Sequence, residues 1–292
     1  MNKKLKRYAA MPIIGPLVNI AIKVMINREG TRIAKHFSEF LLPQVAYRKD
    51  TVSAVYRIRH QVYCEELEFE APRDDAKESD EFDKYSRYCL MQHRSSKDYA
   101  GTVRVVAPQE EDELLPIEKY CAHAFEGADL KPSDFARKDI CEISRLAVPA
   151  QFRRRNTDRF KGAATGAINE TSYSAEELRC FPFLAIGLYL AAGSLAIHSE
   201  HKHAFVMMEP RLARSMAFIG VKFRQLGPAI EYHGKRAPYY INAEMLHRSL
   251  PDGFKKLYAV IDKHIEKDGR EARLSVKLDS DDVDARQVRL FK

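Results

Sequence analysis

Charged residues at short, fixed spacings are the parts of this 292-residue chain with the means to do acid–base chemistry. Arg59 and Tyr63 stand at i and i+4, Phe69 comes next, and then the carboxylates Glu78, Asp80 and Asp83. Arg104 comes three residues after Gly101, and Glu142-Ile143-Ser144-Arg145 closes the series. The clusters alternate in sign, so they can pair across a fold. Residues 65–83 hold ten carboxylates against Arg73 and Lys77, a density that repels itself unless it meets cations or open solvent. Glu142 lies in an apolar stretch, and a carboxylate in a buried strand needs either a partner or a task. It has two readings: a general base, or the ion-pair partner of a cation such as Arg104. Arg59, Glu78, Asp80, Asp83, Arg104 and Arg145 then form the electrostatic frame of a site.

Helices and strands must hold these residues in place. Val52, Val55, Tyr56, Arg59, Val62 and Tyr63 recur at three- and four-residue spacing, which predicts a helix over 51–68. Tyr88 to Gln92, Ala100 to Val106 and Ile140 to Val148 read as strands. In the last, a two-residue period sends Glu142 and Ser144 to one face and Arg145 to the other. Ser174 to Ile197 reads as a helix, apolar enough at its centre to lie inside a fold. Ala204 to Met208 and Lys222 to Leu226 read as strands around a helix Arg211 to Phe218, and Ile230 to Tyr232 pairs with Tyr239 to Ile241 across a turn. Helices between strands make this an α/β chain with a mixed sheet.

Composition narrows the function classes. Hydrophobic residues at 45% and charged residues at 30% describe a globular protein rather than a disordered or fibrous one. Five cysteines without a C-x-x-C pair argue against a disulfide framework or a zinc ribbon, and fit the cytoplasm. No Walker loop, G-x-S-x-G elbow, H-E-x-x-H helix or G-x-G-x-x-G turn is present. His198, His201 and His203 read as a helix end, and no metal site is expected. The net charge of +7 equals the excess in residues 1–50, ten Lys/Arg against three Asp/Glu, so the rest is formally neutral and nucleic acid is not expected as a partner. That arm carries Lys3 to Arg7 and an apolar run Met11 to Ile26, broken by Pro12, Gly15 and Pro16. As a helix the run reaches only ~24 Å, too short to span a bilayer. It either lies on a membrane surface, which makes the protein peripheral on the inner membrane, or docks on the protein itself or a partner subunit.

In this order the residues resemble a known family. Arg59 with Tyr63, Phe69, Glu78-x-Asp80-x-x-Asp83, Gly101-x-x-Arg104 and Glu142-x-Ser144-Arg145 resemble the blocks of the acyl-homoserine-lactone synthases. Later phrases give a closer likeness: Glu142 to Val148, Arg153-Arg154-Arg155, Met208 to Arg214, Gly227-Pro228, Glu231-Tyr232-His233-Gly234 and Arg236 to Tyr239. They resemble the acyltransferases associated with the PEP-CTERM/exosortase system, which group with the N-acyl amino acid synthases. The resemblance covers roughly residues 45–265. It implies a GNAT-type fold, a central mixed sheet flanked by helices, with residues 1–45 as an N-terminal helical extension, 46–265 as the acyltransferase domain and 266–292 as a polar tail. It also implies transfer of a fatty acyl group from acyl carrier protein to the amino group of a free amino acid, with no cofactor beyond the carrier's phosphopantetheine. Within it Glu142, Arg104, Ser144 and Arg145 fall in the catalytic group, and Arg59, Tyr63, Phe69, Glu78, Asp80 and Asp83 around the substrate. A lactone-forming synthase using S-adenosylmethionine is the alternative.

Ordinary GNAT enzymes continue from the E-x-S-R-like strand into a glycine-rich turn whose N–H groups hold the pyrophosphate of coenzyme A. Here that point reads Gln151-Phe152-Arg153-Arg154-Arg155, and the nearest R-x-x-G-x-A match, Arg159-x-x-Gly162-x-Ala164, comes late. Residues 145–161 carry six basic side chains against Asp158, which suits an acidic carrier protein. Arg153, Arg154 and Arg155 are therefore the expected carrier-docking residues.

Overall fold

Alternation of apolar with polar or charged residues builds a sheet that is covered on both faces. The computed structural model describes residues 15–153, 183–277 and 281–288. Strands β1 (Leu41–Val45), β2 (Ser86–His93), β3 (Tyr99–Val106), β4 (Ile140–Ala147) and β5 (His203–Met208) precede two short ones, β6 (Arg224–Gln225) and β7 (Ile230–Glu231), and the longer β8 (Lys235–Ile241). The order is β1-β2-β3-β4-β5-β8-β6, with β7 on β8. All pairings are antiparallel except β4 with β5. The chain is thus α/β with a central mixed sheet flanked by helices, as expected.

Helices α1 (Gly15–Phe40), α2 (Lys49–His60), α3 (Pro116–Cys121), α4 (Leu184–His198), α5 (Pro210–Phe218), α6 (Ala243–Ser249), α7 (Asp252–Lys277) and α8 (Ala285–Val288) complete the described fold. One face of the sheet carries Cys89, Met91, Val103, Val105, Cys141, Ile143 and Val206, packed with α1, α4 and α7. The other carries Tyr88 and Leu90 under α2, and Val106, Ile140 and Phe205 under α3. Arg104, Glu142 and Ser144 share the period of this second face, which is how the site comes to lie between the sheet and the α2 and α3 layer.

Several expectations need correction. Residues 15–45 are built into the domain: Ile33, Ala34 and Phe37 of α1 are buried in the main core, and β1 forms the sheet edge. Pro43 in β1 faces no penalty there, because an edge strand has one side without ladder partners. Residues beyond 265 are not a loose tail. α7 runs to Lys277, burying Phe254, Leu257, Ile261 and Ile265, a spacing of three and four residues. The Val45 N–H donates to Asp268 at 2.8 Å, and Gln287 Nε2 donates to the Ser86 carbonyl at 2.8 Å. The strand expected over Lys222 to Leu226 shrinks to two residues. The helix expected from Ser174 is described from Leu184 on, its first part lying outside the described residues. No described helix is long and apolar enough to cross a membrane.

α1 and α7 cross backbone to backbone. A Cβ on Gly253 would stand 2.2 Å from the Asn27 carbonyl oxygen, and one on Gly30 2.8 Å from the Gly253 carbonyl carbon. Backbone atoms cannot step aside as a flexible side chain does. Gly253→Ala should push the helices apart and cost about 1–3 kcal/mol, read as a lower urea midpoint; an unchanged midpoint would show that the crossing is loose.

Candidate active site

α2 turns its charged centre inward because Arg59 falls on the same face as Val52 and Val55, at i+7 and i+4. Its guanidinium is fully buried and meets two carboxylates: Nε pairs with Glu78, and Nη1 and Nη2 reach the two oxygens of Asp83 at 2.7 and 3.1 Å. The acidic stretch is folded to suit. The Asp80 N–H donates to Asp83 Oδ2 at 2.7 Å, the Phe82 N–H donates to Asp80 Oδ1 at 3.0 Å, and a 3-10 turn, Glu81–Tyr85, comes next. Arg104 on β3 then bridges the far side. Its Nε donates to Ser144 Oγ at 3.1 Å, and Nη1 lies 2.5 Å from Asp80 and 3.1 Å from Asp83. Burial alone would raise the Asp83 pKa and lower those of the arginines. The close opposite charges outweigh it, holding Asp83 well below the usual carboxylate range and Arg59 and Arg104 above their ordinary value.

Arg145 departs from the strict two-residue period. Between Thr102↔Ala147 and Arg104↔Ser144 the β4 strand contains one extra residue, and Arg145 takes φ +49, a left-handed conformation rare for a side chain of its size. This bulge swings Arg145 onto the face of Ser144, where its Nη2 lies 2.9 Å from Glu70 and 3.3 Å from both Glu78 and Asp80. Tyr63 clasps the bulge, its ring 5.4 Å from the Arg145 guanidinium and its hydroxyl donating to the Leu146 carbonyl at 2.8 Å. Tyr63 is able to do so because the helix expected to run on to residue 68 widens into a π turn, Gln61–Glu66. Its i, i+5 pairs, His60 with Glu65 and Gln61 with Glu66 at 3.0 Å, match that wider winding.

Glu142 is buried and stands apart from the ion pairs. The Ile117 N–H donates to its Oε2 at 2.7 Å. Arg104, the cation offered as its alternative partner, is instead bonded to Ser144, Asp80 and Asp83. Burial pushes the Glu142 pKa up to about 8, against the pull of the Ile117 N–H and of Arg104 and Arg145. Just beyond Glu142 the sheet opens. The parallel pairing of β4 and β5 runs only from Ile140↔His203 to Glu142↔Phe205. Past that point the β4 peptide groups facing β5 have no ladder partner there, and a small cavity of about 50 Å³ occupies the gap. Glu142, Ser144, Arg145, Arg104, Tyr63 and Phe69 line it, with Glu70, Pro116, Met207, Tyr232, His233 and Arg236. Arg59, Glu78, Asp80 and Asp83 stand behind these residues rather than at the cavity wall. A larger cavity of about 750 Å³ lies elsewhere, beside Lys138, Asp139, His201 and His203, and none of the predicted site residues lines it.

Tyr232, His233 and Arg236 are new to the site. In the sequence Tyr232 reads as the end of a strand and His233 and Arg236 as the turn after it, although the Glu231 to Gly234 and Arg236 to Tyr239 phrases flagged the segment. The Phe69 ring lies 5.2 Å from that of His233. Arg153 is misplaced by the sequence reading. It is buried and paired with Glu66, so it is not a docking residue; Arg154, Arg155 and the R-x-x-G-x-A match lie outside the described residues. The three histidines of H-x-x-H-x-H go to separate partners: His198 to Asp262, His201 to the Lys138 carbonyl and His203 to the Tyr240 hydroxyl. No metal-binding group of His, Cys, Asp and Glu occurs among the described residues.

Residues 58–163 match the acetyltransferase (GNAT) domain family. The chain has a GNAT-like fold and is an acyltransferase. TofI, solved in a ternary complex with an inhibitor and MTA, is similar with a TM-score of 0.50 and 16% identity, covering 74% of this chain and 99% of that one. The AHL synthase LasI gives 0.46 at 14% identity over 72% of this chain and 96% of its own. FeeM, an N-acyl amino acid synthase from uncultured soil microbes, gives 0.45 at 13% identity over 72% and 94%. At such identities the likeness is one of fold. No curated protein matches the sequence.

The acyltransferase's most exposed liability is its buried carboxyl group. The folded chain keeps the Glu142 proton up to about pH 8, whereas an unfolded glutamate releases it near 4.5. The folded state therefore binds more protons between these values, and its stability falls as pH rises through them. Glu142→Gln should remove this slope. Urea midpoints at pH 6 and pH 9 should converge in the variant relative to the parent; identical slopes would mean that Glu142 is ionised at little cost.

Proposed function

We propose that this acyltransferase moves a long-chain fatty acyl group from the phosphopantetheine thioester of acyl carrier protein to the amino group of a free amino acid. The observation that carries this reading is Glu142, a buried carboxyl group with no ion pair among the described residues, at the point where β4 and β5 part. Aminolysis of a thioester needs alignment, removal of one proton and a place for the developing oxyanion. Glu142 accepts the proton of the attacking amine. The nitrogen forms its bond to the carbonyl carbon, the oxyanion rests on β4 N–H groups facing the gap, and the C–S bond breaks as the thiolate leaves and takes up the proton held by Glu142, which restores the carboxylate. Arg104 and Ser144 fix β3 to β4, and Arg145 holds the bulge in place.

The segment after β4 supports carrier protein over coenzyme A as donor. The N–H of Ala150 donates to both oxygens of Glu66 at 3.0 and 3.1 Å, and Arg153 pairs with the same carboxylate. Among the described residues, the backbone N–H and the arginine at this position are thus already taken by an internal anion. The C-terminal phrases resembling exosortase-associated acyltransferases favour an amino acid over S-adenosylmethionine as acceptor.

Mass spectrometry of purified protein with acyl carrier thioester, amino acids and S-adenosylmethionine tests the reading: an acyl amino acid is expected, and an acyl lactone would replace it with the alternative. Turnover should rise with pH to a plateau above about 8, where Glu142 is ionised. Glu142→Gln should lower kcat by ~10²–10⁴, and equal turnover in a folded variant would remove Glu142 from the mechanism. Acyl-coenzyme A should be the poorer donor by kcat/KM.

The N-terminal helix adds a location. Its C-terminal half is docked, but Ile20, Val24 and Met25 remain 46–60% exposed beside Lys23 and Arg28. This combination suits an anionic membrane surface. Val24→Glu with Met25→Glu should abolish co-sedimentation with phosphatidylglycerol vesicles while leaving transfer from a soluble donor intact; no co-sedimentation of the parent would place the protein away from membranes, and binding by the variant equal to the parent's would show that this helix is not the contact.

A further inference from the structure

Among the described residues, one arginine at the cavity has no carboxylate beside it. Arg104 is matched by Asp80 and Asp83, and Arg145 by Glu70, Glu78 and Asp80. Behind them Arg59 is matched by Glu78 and Asp83. Glu142 is held neutral at pH 7 by burial, and burial together with Arg236 lowers the His233 pKa, so that ring is uncharged as well. Arg236 is different. It lines the same cavity, yet no carboxylate lies within ion-pair distance of it among the described residues; its Nε, like that of Arg145, is shut off from solvent without a hydrogen-bond acceptor, but Arg145 has carboxylates on its Nη2 and Arg236 has none. A buried donor left unmet is costly, so such a group in a cavity wall marks the place of a missing acceptor. The fork geometry of a guanidinium fits a carboxylate best.

We propose that Arg236 binds the α-carboxylate of the acceptor amino acid, and so selects α-amino acids over simple amines. This rests on the acyl-transfer reading above. An amino acid anchored there, in a cavity that Glu142 also lines, presents its amino group to the base while its side chain points elsewhere. The shared chemistry is anion recognition. The other source of an anion in this gap is the phosphodiester of the donor's phosphopantetheine, and the test separates the two.

Palmitoyl carrier protein is used as donor with a panel of the protein amino acids, and with the amine that each becomes on loss of its carboxylate. For the amino acids that are acylated, Arg236→Ala should raise KM for the acceptor by about tenfold to a hundredfold, as expected for a lost charge-assisted hydrogen bond. The KM for the donor should stay within about twofold, well inside that effect. Arg236→Lys, which keeps the charge but not the fork, should fall between. The parent should use the decarboxylated amines poorly, and Arg236→Ala should not worsen them further. Urea midpoints establish that each variant is folded. An unchanged acceptor KM in folded Arg236→Ala, or equal losses with and without the carboxylate, would overturn the proposal. A rise in donor KM instead would assign the residue to the phosphodiester and overturn it too. Absence of transfer to every amino acid by the parent is a different failure, which overturns the acyl-transfer reading and this subsite with it.

Discussion

Everything near the site depends on three arginines and three carboxylates that neutralise one another out of water. Arg59, Arg104 and Arg145 face Glu78, Asp80 and Asp83 through contacts that no single element supplies: α2 gives one cation, β3 and β4 the others, and the acidic loop all three anions. Removing such groups from water costs several kcal/mol each, and the attraction between them roughly repays it. The cluster is therefore a poor source of net stability. What it provides is geometry, because losing any one member strands an opposite charge and costs about 3–5 kcal/mol. The loop, the helix and two strands can adopt only the arrangement in which all six charges find partners.

The same constraint explains why the site was legible in the sequence to the degree it was. A network that needs fixed residue types leaves them at fixed order, and Arg59, Glu78, Asp80, Asp83, Arg104, Ser144 and Arg145 are brought together as their spacing suggested. Sequence patterns do not carry backbone departures. The two-residue period put Arg145 on the wrong face because a single bulge residue reverses the alternation after Ser144. The π turn that aims Tyr63 and Glu66 at β4 has no local composition cue, and the pairing that buries Arg153 spans residues far apart in sequence. α1 and α7 were undervalued for another reason. The apolar run that opens α1 reads equally as a membrane-facing or a docked helix, and the end of α7 reads as a polar tail; their glycine crossing shows that they brace each other against the sheet.

The parting of β4 from β5 connects frame to function. A parallel pair without further ladder bonds leaves peptide groups that must find acceptors and donors elsewhere. In this protein the gap is held open from one side by the bulge, which Tyr63 and the ion pairs keep in place. On the other side stand Met207 of β5 and the Tyr232–Arg236 segment that leads into β8. The charged cluster thus does not touch the reacting atoms in most of its members. It fixes β4, the strand whose N–H groups are proposed to receive the oxyanion.

Pairing within the cluster has a consequence for the chemistry. Since each of its cations sits against carboxylates, Arg104 and Arg145 offset only part of the effect of burial on Glu142. An ordinary glutamate would be too weak a base for an ammonium group, because it holds a proton far less tightly than an amine does. Burial lifts Glu142 to about 8, which narrows the gap to the ammonium group of a free amino acid, itself a weaker acid than the peptide α-amino group that titrates at ~8. In the acyl-transfer reading proposed above, that narrowing is what suits Glu142 to the role of general base. A carboxylate paired directly with Arg104 would be pulled back down, and Arg104 is instead committed to Asp80, Asp83 and Ser144.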